Sequence, residues 1–237
     1  MHSPRFRSVL LALALGAALH AQADAPGAES QILIRYGSFD PLRSVPAVPE
    51  ALQAANERGL WIVQFYRTPT QQDRDAIVAA GGERIGYLPQ DAYVVRMTAS
   101  AAGALRAAAA VRWVGSYEVA YRVDPALLDR AAHLSAAPAR YNIVVANKRV
   151  DKPTLAAKIA RVGGRIEDLH QGSVLVDATL TGPQLLQVAG FDEVLWVDQW
   201  SAPEEDMDNA RVQGGGDYVE SQGGYTGAGV NLHIYEG

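Results

Sequence analysis

An internal duplication constrains this chain more than any other feature. Laying residues 60–118 over 141–199 brings Ile62-Val63 onto Ile143-Val144, Gly81-Gly82 onto Gly163-Gly164, and Trp113-Val114 onto Trp196-Val197. The offset grows from 81 to 82 to 83, so two single-residue differences separate the copies. Landmarks that keep one order at nearly one spacing mark a repeated structural unit. With 237 residues and 49% hydrophobic composition, there is material for two small cores at roughly 100 residues each.

Within each copy the pattern is the same. An apolar, β-branched run opens it, at 60–66 and 141–147, which predicts a strand. A helix follows, started near Pro69 or Pro153 and stopped by the Gly-Gly pair, because proline is tolerated in a first turn where the amide has no intrahelical partner. Leu155, Ile159 and Val162 recur at spacings of four and three, which places them on one helix face. Two short strands come next, at about 84–88 and 92–97 and again at 165–169 and 173–178. A second helix near 100–109 or 182–189 then leads into the Trp-containing strand. The order is β-α-β-β-α-β. With right-handed crossovers it folds as a four-stranded antiparallel sheet with both helices on one face, the ferredoxin-like arrangement. The expectation is α+β, with tandem ferredoxin-like modules at 60–124 and 140–200. That fold hosts many functions and implies none.

The remaining segments read as preliminaries and connections. Arg5 and Arg7, the apolar run 9–19 and the small residues of Ala21-Gln22-Ala23 make residues 1–23 a signal peptide, so the product is expected to be secreted or periplasmic. The run is too short for a membrane anchor, which needs about 20 apolar residues. Removing it takes away two arginines and no acid, moving the formal charge from -5 to -7, and this acidic balance argues against a nucleic-acid partner. There is no cysteine, which excludes disulfides, thiol nucleophiles and cysteine metal sites. Residues 24–59 are an N-terminal extension with one strand-like stretch at 31–36, residues 125–139 are an Ala-rich linker, and residues 201–225 are an acidic and Gly-rich linker suited to a processing cut.

Several residues invite sharper readings. His2 and His20 leave with the leader, His133 lies in a linker, His170 at a hairpin tip and His233 on a presumed strand; no pair has the helical spacing that metal ligation favours. Glu204-Glu-Asp-Met-Asp208 has carboxylates but not the glycine turn and ligand spacing of a calcium loop, so it reads as a solvated linker. Glycines 214–216 and Gly227-Ala-Gly229 do not form a dinucleotide fingerprint, since Leu232 holds the third position and a strand follows. Trp61, Trp113, Trp196 and Trp200 read as core or module-interface residues, with Trp200 the best placed to touch a further domain.

At Gly224-Tyr-Thr-Gly-Ala-Gly-Val-Asn-Leu-His-Ile-Tyr-Glu-Gly237 the chain resembles the opening of the catalytic domain of subtilisin-like serine proteases. In that family a Gly-x-Gly-Val turn leads into an apolar strand whose end presents the acid of the catalytic triad. The resemblance implies that residues 226–237 are the truncated start of an α/β subtilisin-like domain and that Glu236 stands in the acid position, where the family usually has aspartate. The triad acid accepts a hydrogen bond from the histidine and stabilises the imidazolium formed as serine attacks. The histidine and serine have no counterpart here, so the fragment is expected to be inactive by that mechanism. Family prodomains have the same β-α-β-β-α-β order, pack their sheet on the catalytic domain, assist its folding and inhibit it. The resemblance thus implies a pro-region whose partner is its own catalytic domain and whose parent takes peptide substrates. It implies no cofactor in this fragment, and leaves calcium to the full-length parent. The alternative is a non-enzymatic exported protein that holds a peptide or small ligand with its paired modules; a third option is a degenerate protease relative.

Overall fold

The computed structural model describes residues 30–55, 57–128, 137–202 and 212–231. The duplicated order builds two four-stranded sheets. The first unit contains β3 (Arg58–Phe65), α1 (Gln71–Ala79), β4 (Glu83–Leu88), β5 (Ala92–Thr98), α2 (Ala99–Arg106) and β6 (Val111–Ser116), preceded by a hairpin of β1 (Ile32–Ile34) and β2 (Gly37–Phe39). The second follows α3 (Pro125–Leu128) and contains β7 (Ala139–Val145), α4 (Asp151–Arg161), β8 (Arg165–Asp168), β9 (Leu175–Leu180), α5 (Gly182–Ala189) and β10 (Val194–Gln199). The sheet orders are β4-β5-β3-β6 and β10-β7-β9-β8, and every neighbouring pair is antiparallel. The fold is mixed α+β.

Local chemistry explains the element ends. Thr70 and Asp73 close a capping box on α1, with Thr70 N donating to Asp73 Oδ2 at 2.7 Å. Each Gly-Gly pair divides its labour. Gly81 and Gly163 end their helices at φ 86° and 83°, which any side chain would strain. Gly82 and Gly164 sit where helix meets sheet, and a Cβ there would lie 2.8 Å from Ile77 Cγ2 or 2.4 Å from Leu180 Cδ2.

One expectation is corrected. The structure does not superpose Ile62 on Ile143: Val63 pairs with Val114, and Ile143 pairs with Val197, its counterpart in the repeat. Val63 is therefore the equivalent of Ile143. A strand has period two, so a one-residue slip reverses every face, and an Ile-Val dipeptide fits either register.

Each sheet packs both helices on one face. Trp61, Val63 and Val95 meet Ile77, Ala102 and Leu105 in the first unit, and Ile143, Val176 and Ala178 meet Leu155, Ile159, Leu185 and Val188 in the second. The stretch at 31–36, read as one strand, supplies β1 and the turn of a hairpin that β2 completes and that folds over the opposite face of the first sheet. There Ile32 and Phe39 cover Leu60, Ile62 and Val94, joined by Tyr117 and Tyr121. Asp40 fixes the hairpin to β6 through Arg112 at 2.5 Å.

The two units share a seam. Val119, Val123 and Leu127, which follow β6, lie in the core of the second unit, and Val123 bridges Val197 in parallel. Arg122, 1% exposed, donates to the carbonyls of Tyr117, Ala189 and Phe191 at 2.7–3.3 Å; burial pushes its guanidinium down to about 10, so it is still charged at neutral pH. Arg96 of β5 forks onto both oxygens of Asp151 at 2.9 and 3.1 Å and also binds Glu83. The acidic and Gly-rich linker expected at 201–225 contains α6 (Gly216–Gly223), and residues 212–231 are almost wholly exposed.

Gly82→Ala and Gly164→Ala are expected to cost about 1–3 kcal/mol each by overpacking, read from urea unfolding. Arg122→Ala is expected to cost about 3 kcal/mol, because three seam carbonyls lose a charged donor, and to separate the unfolding of the two sheets into distinct steps.

Candidate functional site: the open face of the second sheet

The corrected register sets equivalent positions of the two sheets side by side. On the face away from the helices, Leu60, Ile62 and Val94 of the first sheet correspond to Arg140, Asn142 and Asp177 of the second. The first set is buried beneath the hairpin. The second set has no such cover among the described residues, and Arg140, Asn142, Val144, Thr179, Trp196 and Asp198 are all half-buried. Alternation was visible in the sequence of β7, where Arg140 and Asn142 interleave with buried Tyr141 and Ile143; this is the pattern of a sheet with one wet face.

Asp177 is the centre of this face. It is 1% exposed and Oδ2 receives Arg140 Nη2 at 2.7 Å. His170 Nε2 lies 3.1 Å from the same oxygen but off the line of a hydrogen bond, and its Nδ1 is 3.5 Å from Asp168. Asp177 Oδ1, Arg140 Nε and His170 Nε2 are buried without a hydrogen-bond partner, although groups so placed are normally paired. The hairpin tip that carries His170 is tightly turned, with His170 at φ 39° and its amide on Asp168 Oδ1 at 2.9 Å. That backbone bond is the main reason the Asp168 carboxyl lies below its ordinary value.

A second group adjoins it along the face. Asp198 accepts from Asn142 at 2.8 Å and from Trp196 Nε1 at 3.0 Å. Arg35, from the hairpin of the first unit, lies 5.1 Å over the Trp196 ring. Where β10 runs out, the Trp200 ring carries the Arg140 guanidinium at 4.2 Å. Trp196 and Trp113 are equivalent, and both point away from the helices. Trp113 is partly buried against Phe39, edge to face at 6.1 Å, whereas Trp196 is on the open face. Trp61 is core, its Nε1 on Met97 O at 3.1 Å.

Glu236, the candidate triad acid, lies outside the described residues, as do His133, His233, the carboxylates 204–208 and the presumed strand 232–235. Gly227 and Gly229 of the turn before it adopt φ 73° and 79°; Val230, which follows, is exposed. Among the described residues no group of three or more His, Asp or Glu is placed to hold a metal ion, and no helix is long and apolar enough to cross a membrane.

A family model described as a domain of unknown function, DUF8729, matches residues 33–118, from the hairpin through the first sheet. No curated protein and no solved structure matches the chain.

Asp177→Asn is expected to cost about 2 kcal/mol, since it leaves a half-buried guanidinium without its counter-charge. It is also expected to alter the emission of Trp200, whose stacking cation is held by that carboxylate; urea unfolding and tryptophan fluorescence read the two effects.

Proposed function

We propose that this chain is the N-terminal pro-region of an exported subtilisin-like serine endopeptidase. In this reading both sheet-and-helix units are ferredoxin-like modules, and the second seats its open face on the catalytic domain whose start includes Glu236. The observation that carries the proposal is the contrast between two equivalent surfaces. The first sheet closes its outer face with its own hairpin, while the second leaves Arg140, Asn142, Trp196 and Asp198 half-buried, in the unit nearest in sequence to the protease-like segment. A polar, hydrogen-bonded face with aromatic residues suits a contact that forms and is later released, because such interfaces are more polar than permanent ones.

On this reading the assembly assists folding of the catalytic domain and inhibits it until processing within 201–225. The leader directs the product to a secreted or periplasmic location, and Glu236 is the acid of a triad whose histidine and serine lie further along. The partner is its own catalytic domain, and the parent's substrates are peptides.

The test is inhibition. Residues 24–203 retain the seam segment that completes the second core, so this piece, added to a mature subtilisin-type protease, is expected to slow peptide hydrolysis at micromolar concentration. A combined Arg140→Glu and Trp200→Ala variant is expected to weaken inhibition at least tenfold, about 1.4 kcal/mol. No slowing, or equal slowing by the variant, counts against the proposed role.

A further inference from the structure

A second surface lies where the two units meet. A cleft of about 340 Å³ is bounded on one side by Arg84 and Ile85 of β4, and on the other by Ala146, Lys148, Arg149 and Val174. We propose that this cleft binds an extended peptide that carries carboxylate side chains.

Charge is the first argument. Arg84, Lys148 and Arg149 are exposed, and among the described residues none of them is in an ion pair. Several arginines elsewhere, Arg35, Arg58, Arg140 and Arg165 among them, are held by carboxylates. The acid at the cleft wall, Glu83, is already committed to Arg96 at 2.9 Å and Asn147 at 2.6 Å. An acidic chain of net charge -5 thus gathers around one cleft three cations with no carboxylate partner among the described residues, Arg84 lying over the Tyr93 ring at 5.7 Å and Lys148 Nζ donating to Gly172 O at 3.4 Å, and such a cleft raises the local concentration of anionic ligands.

The backbone is the second argument. β4 is the last strand of its sheet, so among the described residues one side of it has no strand beside it. An extended peptide can add there by main-chain hydrogen bonds, with side-chain pockets supplying selectivity. The apolar groups of the cleft, Ile85, Ala146 and Val174, sit among the cations, which fits a ligand alternating acidic and apolar residues. A bulge between Arg84 and Gly86 and a charge on the strand are also devices that guard an edge against aggregation. That role accounts for Arg84. It does not account for Lys148 and Arg149, which belong to the other unit and border the same cleft.

The proposal is independent of the protease reading and is measured without any protease. A fluorescent eight-residue peptide alternating glutamate and valine, titrated into the complete chain, is expected to give saturable anisotropy. A Lys148→Glu, Arg149→Glu variant, whose changed side chains are exposed and whose urea transition is expected to be unchanged, should weaken binding at least tenfold. Salt at about 0.5 M, where screening acts within roughly 4 Å, should do the same. Methylating alternate peptide amides should abolish binding if the strand edge is used. Absence of saturable binding, equal affinity for a lysine-valine peptide, or indifference to the double variant overturns the proposal.

Discussion

Two buried arginines hold the rest of the structure in place. Arg96 and Arg122 belong to the first unit and its exit segment, yet most of the atoms that satisfy them belong to the second. Arg96 forks onto Asp151 at the start of α4. Arg122 has no carboxylate in its hydrogen bonds and rests on carbonyls at the end of α5, where the helix dipole presents its negative pole. A guanidinium withdrawn from water and left unpaired is strongly destabilising. Sliding one sheet against the other would unpair both at once, so the seam specifies one arrangement where apolar packing alone would tolerate several.

That arrangement decides which surfaces remain available. The segment 119–127 cannot serve as a loose connector, because Val119, Val123 and Leu127 are core residues of the second unit. Neither unit is a self-sufficient building block: the first exports part of the second's core, and the hairpin closes the first sheet while reaching Trp196 of the second through Arg35. The open face and the cationic cleft are therefore two surfaces of one platform.

Much of this was legible in the residues, and the failures have identifiable causes. The order of elements followed from apolar runs, the Gly-Gly stops and the repeated Trp-Val, and those glycines have the conformations that explain their presence. Register was not legible from Ile62-Val63, since two adjacent β-branched residues suit both faces. The hairpin was hidden because Arg35-Tyr36 turns the chain between two strands of only three residues, inside a stretch that reads as a single apolar strand. The second-unit partners of Arg96 and Arg122 are 55 to 96 residues away in sequence, beyond the reach of any local pattern. Asp177 stood in plain view between Val176 and Ala178, but only its place opposite Asn142, with Arg140 reaching its carboxylate, marks it as the centre of a surface.

The duplicated unit carries its own control. Two copies with the same strand order differ most where their environments differ: Leu60, Ile62 and Val94 lie under a hairpin, and Arg140, Asn142 and Asp177 have no hairpin over them among the described residues, Asp177 being covered by the side chains of Arg140 and His170 instead. If the second face were merely solvent-facing, exposed lysines and glutamates would serve, since surface charges are freely hydrated. The chain instead invests an aspartate 1% exposed, a stacked Arg140–Trp200 pair and an indole bound to a carboxylate. These groups are held in fixed positions by one another, so a partner meeting them loses little further side-chain freedom on binding, and ordering such side chains is otherwise among the larger costs of forming an interface. Preorganisation of this kind has little use on a surface that touches only water, and it supports reading this face as a place where another folded domain comes to rest.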